Sequence, residues 1–204
     1  RIEDYAFRGS SITEVCFDGN VREICRGGFY NCYALPSITL PPTLLYIADF
    51  LLYNCSNLTY MYIPPSVQRI GESAISYCVL LPTVEIPHSN QRIDISAFRY
   101  CYSLHSVNLL NGTRIIDGYA FQNCSSLLSM SFPPSVTTIG KYCFSYCSSM
   151  NSVTFSNYTT SIGMYAFYYC VDLPSVLLPT SNSFTEIQSH TFAHCHSLSN
   201  LVIN

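Results

Sequence analysis

The chain has 204 residues, of which 49% are hydrophobic and only 10% are charged, compared with a charged share of roughly 25% in ordinary soluble domains. This composition excludes an intrinsically disordered chain, because so much apolar surface can offset the entropy of ordering. The net charge of −3 and the nine dispersed basic residues argue against a nucleic-acid partner, and the lack of a run of 18 apolar residues argues against a membrane span.

The first predicted element is a coil over residues 2–17, which is a shortened copy of a repeat that fills the rest of the chain. Ser10 takes the place of a cysteine that recurs in every later copy. The apolar positions of this first copy are Ile2, Phe7, Ile12, Val15 and Phe17. The chain opens at Arg1 without a methionine, so we expect it to be a trimmed segment.

Eight cysteines then mark eight further copies. Each has isoleucine eight residues earlier, a large apolar residue three residues earlier, and apolar residues three, six and eight positions later. A fixed period of this length is typical of a solenoid. The first seven cysteines are 23 residues apart and the last follows after 25: Cys32, Cys55, Cys78, Cys101, Cys124, Cys147, Cys170 and Cys195.

Each copy predicts two elements. The residues six to eight after the cysteine alternate apolar, polar, apolar, which predicts a short strand. Proline often follows and ends the strand, as at Pro41, Pro64 and Pro133, because it lacks the amide that a strand ladder needs. From isoleucine to cysteine the apolar residues are four and five apart, which predicts a short helical or 3₁₀ segment on the opposite side.

Stacking of these coils predicts an α/β repeat solenoid, with short parallel strands on its concave face and helical or 3₁₀ segments on its convex face. We expect about nine coils of 23 residues, with equivalent side chains about 4.8 Å apart. Since no linker interrupts the repeat, residues 1–204 are predicted to form a single domain. Neither end has a polar cap, so we expect either an excerpt from a longer array or end-to-end self-association.

Two copies carry a family pattern, IPPSVQRIGESAISYC over 63–78 and FPPSVTTIGKYCFSYC over 132–147. They resemble the unit of the BspA-like, Treponema-type leucine-rich repeats, which reads roughly IPxxVxxIGxxAFxxCxxL. The resemblance covers essentially the whole chain, although Gly28 and Leu51 stand where the unit has alanine. It implies a cell-surface or secreted protein that adheres to host cells, matrix proteins or other microbes, and it implies no shared catalytic residues.

The recurring cysteines have three possible roles. Neighbouring cysteines would lie near enough for a disulfide, and thiolates could hold zinc. A straight column gives each cysteine two identical neighbours and no four converging ligands, so we favour packing as small hydrophobic residues. Cys16 falls on an outward strand position and is the thiol that we expect to be exposed, and Cys25 falls in a predicted turn.

Three histidines near the end of the chain, His190, His194 and His196, could form a metal site. On a helix, His190 and His194 would be four residues apart and could share a metal ion. The alternative, which we favour, is solvated positions on the convex side, since Cys195 between them faces the core. We therefore predict no metal and no cofactor.

The polar strand positions predict a ligand-binding surface on the concave face. They form a hydroxyl-rich, nearly uncharged strip, extended by Glu14 and Cys16 in the first coil and by the apolar Leu177 and Val202 near the C-terminal end. Tyrosine is a frequent interface anchor, although the two tyrosines here could instead only cover a neighbouring coil. The predicted ligand-binding residues are Thr39, Tyr60, Tyr62, Thr83, Glu85 and Asn108.

Sequons for N-glycosylation are a third candidate site. They occur at Asn54, Asn57, Asn111, Asn123 and Asn157. Asn111 and Asn157 lie at the same turn position, ten residues after a cysteine, and are predicted to be exposed. Asn54 and Asn123 adjoin the cysteines and are predicted to be less accessible.

The sequence contains no catalytic motif, such as a nucleophile elbow, a phosphate-binding glycine loop or a zinc-protease helix. We therefore predict that the protein is not an enzyme. The predicted function is a surface-displayed or secreted module that binds a host protein, matrix or glycan ligand through the concave face. The alternative is a structural spacer, a rod that presents another domain and has no ligand of its own.

Overall fold

The computed structural model describes residues 1–19, 21–180 and 182–203. All strand pairings in these residues are parallel. In chain order the strands are β1 (Ser37–Thr39), β2 (Tyr46–Ile47), β3 (Tyr60–Tyr62), β4 (Arg69–Ile70), β5 (Thr83–Ile86), β6 (Arg92–Ile93), β7 (Ser106–Leu109), β8 (Ile115–Ile116), β9 (Ser129–Ser131), β10 (Thr138–Ile139), β11 (Ser152–Thr154), β12 (Ser161–Ile162), β13 (Ser175–Leu177) and β14 (Asn200–Val202).

The strands form two rows on different sides of the coils. The first row, which corresponds to the predicted concave face, contains β1, β3, β5, β7, β9, β11, β13 and β14. The second row is a six-stranded sheet of β2, β4, β6, β8, β10 and β12. Partners lie one repeat apart, as Ile47 and Ile70 do. The pairing of Val176 with Leu201 absorbs the two-residue insertion before the last strand.

The core consists of columns of equivalent side chains that run along the stack. Phe98, Phe121 and Phe144 are fully buried, and their rings stack nearly parallel at centroid distances of 5.1 and 5.3 Å. In the three-residue first-row strands β1, β3, β9, β11 and β13 the middle residue is buried and its two neighbours are exposed, as the alternation of side chains along a strand requires. All three residues of the last strand, β14, are exposed. The predicted columns are confirmed.

The helical or 3₁₀ segments predicted between isoleucine and cysteine are wrong. The described residues contain no helix, and these stretches are successive turns. We call this side of the solenoid the turn wall: in each coil it comprises the six residues before the cysteine, or before Ser10 in the first coil. In every coil the residues five and one before the cysteine position have left-handed backbone, as Tyr142 (φ 55°) and Tyr146 (φ 62°) do. A right-handed helix cannot pass through such residues.

Hydrogen bonding along the turn wall explains why turns replace a helix. The Phe144 amide donates to the Ala166 carbonyl of the next coil at 2.7 Å, whereas the Ser145 amide closes a turn onto the Tyr142 carbonyl at 3.2 Å. A helix would use all of these amides within its own coil. Because alternate amides bond to the next coil instead, the turns join the stack along its whole length.

The expectation of nine regular coils is slightly too high, and about seven turns of the solenoid are regular. The first coil contributes an isolated bridge between Ile2 and Ile24, while Glu14 and Cys16, expected on a strand, lie in irregular structure. In the described residues of the last coil, β14 has no second-row counterpart.

Candidate functional site

The six predicted ligand-binding residues all lie exposed on the first row. Each occupies an outward position of a strand whose intervening residues point into the core, so strand alternation alone places them on one face. By strand they are Thr39 on β1, Tyr60 and Tyr62 on β3, Thr83 and Glu85 on β5, and Asn108 on β7.

Tyr60 and Tyr62 dominate this patch. Their side chains are 55% and 42% exposed, on either side of the buried Met61. Rings that only covered a neighbouring coil would lose most of this exposure. The strand therefore presents two large amphipathic side chains to solvent on a rigid backbone.

A depression of about 240 Å³ lies beside these tyrosines, where β3 adjoins β5. Its buried lining residues, Met61, Ile63 and Val84, are apolar, and its exposed lining residues are Tyr60, Tyr62, Thr83 and Glu85. This combination of an apolar floor and a polar rim suits a ligand that has both kinds of surface.

The two remaining predicted residues lie on the strands that flank the depression. The Asn108 side-chain amide donates to Glu85 Oε2 at 2.9 Å and so helps to orient the carboxylate. Thr39 is the direct strand partner of Tyr62. The structure therefore brings all six predicted residues together on four successive first-row strands.

A second exposed patch lies further along the same face. Leu177 on β13 pairs directly with Val202 on β14, and the two side chains are 57% and 38% exposed. These are apolar residues at positions that carry hydroxyl groups in most other coils, so this end of the face differs in chemistry from the tyrosine patch.

The recurring cysteines are free thiols that pack in the core. Each thiol donates a hydrogen bond to the carbonyl of the large apolar residue in the preceding coil, as Cys55 does to Phe29 and Cys101 does to Ile75, both at 3.2 Å. These bonds and the burial of the side chains account for the whole column without a disulfide. No group of three or more potential ligands in the described residues is arranged to hold a metal ion.

Burial makes these thiols poor nucleophiles. Desolvation raises the pKa of Cys55 and Cys101 to about 12 and that of Cys195 to about 11, because a thiolate in an apolar column loses its hydration. Cys16 is exposed, as predicted. Cys25 is buried and directly precedes a turn.

The three histidines do not lie on a helix. The His190 ring stacks on Tyr165 at 4.6 Å and 8°, so it continues a column of tyrosines on the turn wall. The His194 and His196 rings lie 5.9 Å apart and contact Tyr169. All three are exposed, and the helical spacing that suggested a shared metal ion is not present.

The sequons differ in accessibility. Asn111 and Asn157 are both exposed, but the Asn111 side-chain oxygen accepts a hydrogen bond from the Ser135 amide at 3.1 Å. Asn54 is half-buried and donates to Asn31 Oδ1 at 3.1 Å. These contacts make Asn157 the more freely available amide for glycosylation.

A line of ion pairs on the second row was not predicted from the sequence. Asp94 is almost buried and accepts hydrogen bonds from Arg69 at 2.5 Å and Arg92 at 2.7 Å, and Arg92 also pairs with Asp117. The hydrogen bond to Asp94 is the main cause that raises the pKa of Arg69. The sequence does contain a hint of these ion pairs, because Arg69 and Arg92 share one repeat position and Asp94 and Asp117 share another.

A cleft of about 640 Å³ near the first coil was also not predicted from the sequence. It is lined by Arg1, Asp4, residues 22–26, residues 43–46 and Ala48. Among the described residues no backbone hydrogen bond joins residues 22–25 to residues 45–48, although the corresponding residues of later coils pair in the second row. The shortened first coil was the only sequence signal for this gap.

Three comparisons place the chain among known proteins. A model of the BspA type leucine rich repeat region matches residues 1–128 and 114–204, with six copies. No curated protein is significantly similar in sequence. No helix in the described residues is long and apolar enough to cross a membrane.

Several solved structures are similar. The leucine-rich repeat protein TpLRR of T. pallidum is 30% identical with a TM-score of 0.64, over 81% of this chain and 68% of that one. A leucine rich cell surface protein of Faecalibacterium prausnitzii is 24% identical (TM-score 0.57, 97% and 68%). Pneumococcal vaccine antigen PcpA is 18% identical (TM-score 0.59, 97% and 55%), so the two share the fold. The family model and the solenoid geometry agree: the chain belongs to the BspA-type leucine-rich repeat family.

Proposed function

We propose that the protein is a surface-displayed or secreted binding module that holds a host protein, matrix or glycan ligand on its first-row face. The observation that carries this proposal is the pair of exposed tyrosines, Tyr60 and Tyr62, beside an apolar-floored depression with Glu85 at its rim. Large tyrosine side chains on strands supply contact area with little conformational entropy to lose on binding.

The comparisons support this proposal at the level of the family. The Faecalibacterium prausnitzii relative is described as a cell surface protein, which agrees with display outside the cell. Solenoids of stacked coils use extended faces as binding surfaces. A neutral, hydroxyl-rich face with one aromatic patch favours a ligand held by shape and hydrogen bonds over one held by net charge.

The test is binding of the purified chain to an immobilised basement-membrane extract and to a glycan array. We expect the double variant Tyr60→Ala, Tyr62→Ala to lose binding at least tenfold while its thermal unfolding stays unchanged, because both side chains are exposed. Tyr158→Ala is the matched control, since this tyrosine is 65% exposed but lies outside the strands; it should bind normally.

Two outcomes would reject the proposal. If the wild-type chain binds neither surface, the chain is better described as a structural spacer without its own ligand. If the wild-type chain binds and the double variant binds equally well, the tyrosine patch is not the site.

A further inference from the structure

The turn wall changes its charge character halfway along the stack. Its five C-terminal segments, residues 95–100, 118–123, 141–146, 164–169 and 189–194, contain no aspartate or glutamate, although the chain as a whole carries a net charge of −3. They contain Arg99 and Lys141 and are rich in tyrosine. We call this surface the C-terminal turn wall. The segments nearer the N-terminus contain Asp4, Asp49 and Glu72.

Tyrosines on the C-terminal turn wall form ladders. The rings of Tyr119, Tyr142 and Tyr165 stack within 5° of parallel at centroid distances of 5.1 and 4.6 Å. A second ladder contains Tyr146 and Tyr169, whose rings lie 5.2 Å apart and are 39% and 37% exposed. The repeat therefore sets phenol groups side by side along the stack, one coil apart.

Two cations flank the first ladder. The Arg99 guanidinium lies 4.7 Å from the Tyr100 ring centroid and 5.3 Å from that of Tyr119. Lys141 Nζ lies 5.7 Å from the Tyr119 centroid, and the Lys141 stem runs beside Gly118, where a Cβ would contact its Cγ at 3.3 Å. Both cations are thus held at the aromatic surface.

Neither cation has a carboxylate partner. Among the described residues, Arg99 and Lys141 form no ion pair, and the buried Arg99 Nε has no hydrogen-bond acceptor. By contrast, Arg26 on the N-terminal part of the wall lies 3.8 Å from Asp49 and donates to the Tyr5 hydroxyl. The acid nearest to Arg99 in sequence, Asp94, pairs with Arg69 and Arg92. The acid nearest to Lys141 in sequence, Asp117, pairs with Arg92.

We propose that the C-terminal turn wall is a binding surface for an acidic, sulfate-bearing polysaccharide, separate from the tyrosine patch on the first row. Sulfate groups would accept hydrogen bonds from Arg99 and Lys141, whose positive charge is not neutralised by the protein. Ring edges and phenol groups of the ladders would contact the sugar rings and their hydroxyls. The stack repeats these groups along its length, which suits a polymer of repeating units.

A single-stranded nucleic acid is the competing polyanion, and the ring geometry disfavours it. Single-stranded nucleic acids are held by bases stacked on the open faces of aromatic rings. Here Tyr142 is stacked between Tyr119 and Tyr165, and His190 stacks on the other side of Tyr165. Arg99 and Lys141 lie over the Tyr119 ring. The phenol hydroxyl groups of these tyrosines can hydrogen-bond sugar hydroxyls and sulfate oxygens, and these contacts need no open ring face.

The experiment measures binding of heparin oligosaccharides to the chain by isothermal titration calorimetry at low ionic strength, with desulfated heparin, which keeps its carboxylates but lacks sulfate, as the comparison. We expect the wild-type chain to bind the sulfated form, and Lys141→Gln and Arg99→Gln each to weaken binding at least tenfold. Arg114→Gln is the matched control, because it removes the same charge from an exposed arginine that lies outside the C-terminal turn wall. The heparin affinity of this variant should stay within twofold of wild type.

Arg99 is half-buried, so Arg99→Gln could fail to fold. In that case Lys141→Gln, at an exposed position, is sufficient to test the proposal. The double variant Tyr60→Ala, Tyr62→Ala should keep full heparin affinity, because these tyrosines lie on the first row. This result would distinguish heparin binding at the C-terminal turn wall from ligand binding at the first-row tyrosine patch. The proposal is overturned if wild type does not bind heparin, if Arg114→Gln weakens binding as much as Lys141→Gln, or if a single-stranded oligonucleotide binds more tightly than heparin.

Discussion

The cysteine position shows how one residue type satisfies several demands of the stack at once. Its side chain must be small and apolar, because each column position is closed by identical neighbours above and below. The Leu52 carbonyl already accepts the Cys55 amide within its own turn, and the Cys78 thiol occupies its remaining acceptor site at 3.3 Å. Alanine would fit this site but would leave that acceptor unused.

Thiol reactivity follows directly from this arrangement. We expect N-ethylmaleimide at pH 8 to label Cys16 in the native protein well before the recurring cysteines, because this thiol is exposed, although its hydrogen bond to Glu14 raises its pKa. The recurring cysteines should stay unlabelled, because their raised pKa values, about 12 for Cys55 and Cys101, leave almost no thiolate at this pH.

Intact mass measurement distinguishes the outcomes. The native chain should gain one label within minutes, Cys16→Ser should gain none, and the chain in guanidinium chloride should gain labels on all 11 cysteines. Rapid labelling of several thiols in the native chain would show that the column is open to solvent and would contradict the packing described above.

The turn wall is the element whose conformation the sequence did not reveal. Apolar residues four and five apart fit a short helix and a pair of successive turns equally well. The deciding feature is left-handed backbone at two positions per coil, and glycine marks it only at Gly9 and Gly27. Elsewhere tyrosine, serine, asparagine, phenylalanine or histidine occupies these positions. The recurrence of asparagine directly before cysteine, as at Asn31 and Asn54, was the available hint, because asparagine tolerates this conformation.

Left-handed positions predict an unusual response to glycine. Ser73 has φ 51°, so Ser73→Gly should stabilise the chain by about 0.5–1 kcal/mol, since the relief of strain exceeds the extra entropy cost of glycine. Ser73→Val should destabilise it by about 1–2 kcal/mol, because a branched Cβ worsens the clash. Urea unfolding followed by circular dichroism measures both changes.

The control for this prediction is a serine in ordinary strand conformation. Ser152 lies exposed on β11, and Ser152→Gly should lower the free energy of unfolding by about 0.5–1 kcal/mol. If Ser73→Gly is as destabilising as Ser152→Gly, then strain at the left-handed positions does not contribute to stability.

At the scale of the molecule, the sequence was sufficient for the architecture because the repeat aligns identical residues. The spacing of Cys, Phe and Ile placed the columns, the first-row strands and the outward strand positions of Tyr60 and Tyr62 correctly, but it did not determine the extent of their exposure. The second row escaped prediction, because two-residue strands such as Arg69–Ile70 are too short for side-chain alternation to be visible. The two proposed binding surfaces, the tyrosine patch and the C-terminal turn wall, depend on residues that differ between coils. The repeat pattern alone therefore does not predict them.

A solenoid of this kind should lose stability according to the position of a defect along the stack. Phe121 is fully buried between Phe98 and Phe144, and Phe121→Ala should cost about 3–5 kcal/mol. Phe192 is half-buried and stacks on one ring, that of Phe167 at 5.5 Å, so Phe192→Ala should cost about 1–2 kcal/mol. Hydrogen exchange should show lost protection in the coils on both sides of Phe121, because each coil is stabilised mainly by its neighbours. Equal costs for the two substitutions, or protection lost equally throughout the chain, would mean that the stack unfolds as one globular unit. Lost protection confined to the coil of Phe121 would contradict stabilisation of each coil by its neighbours.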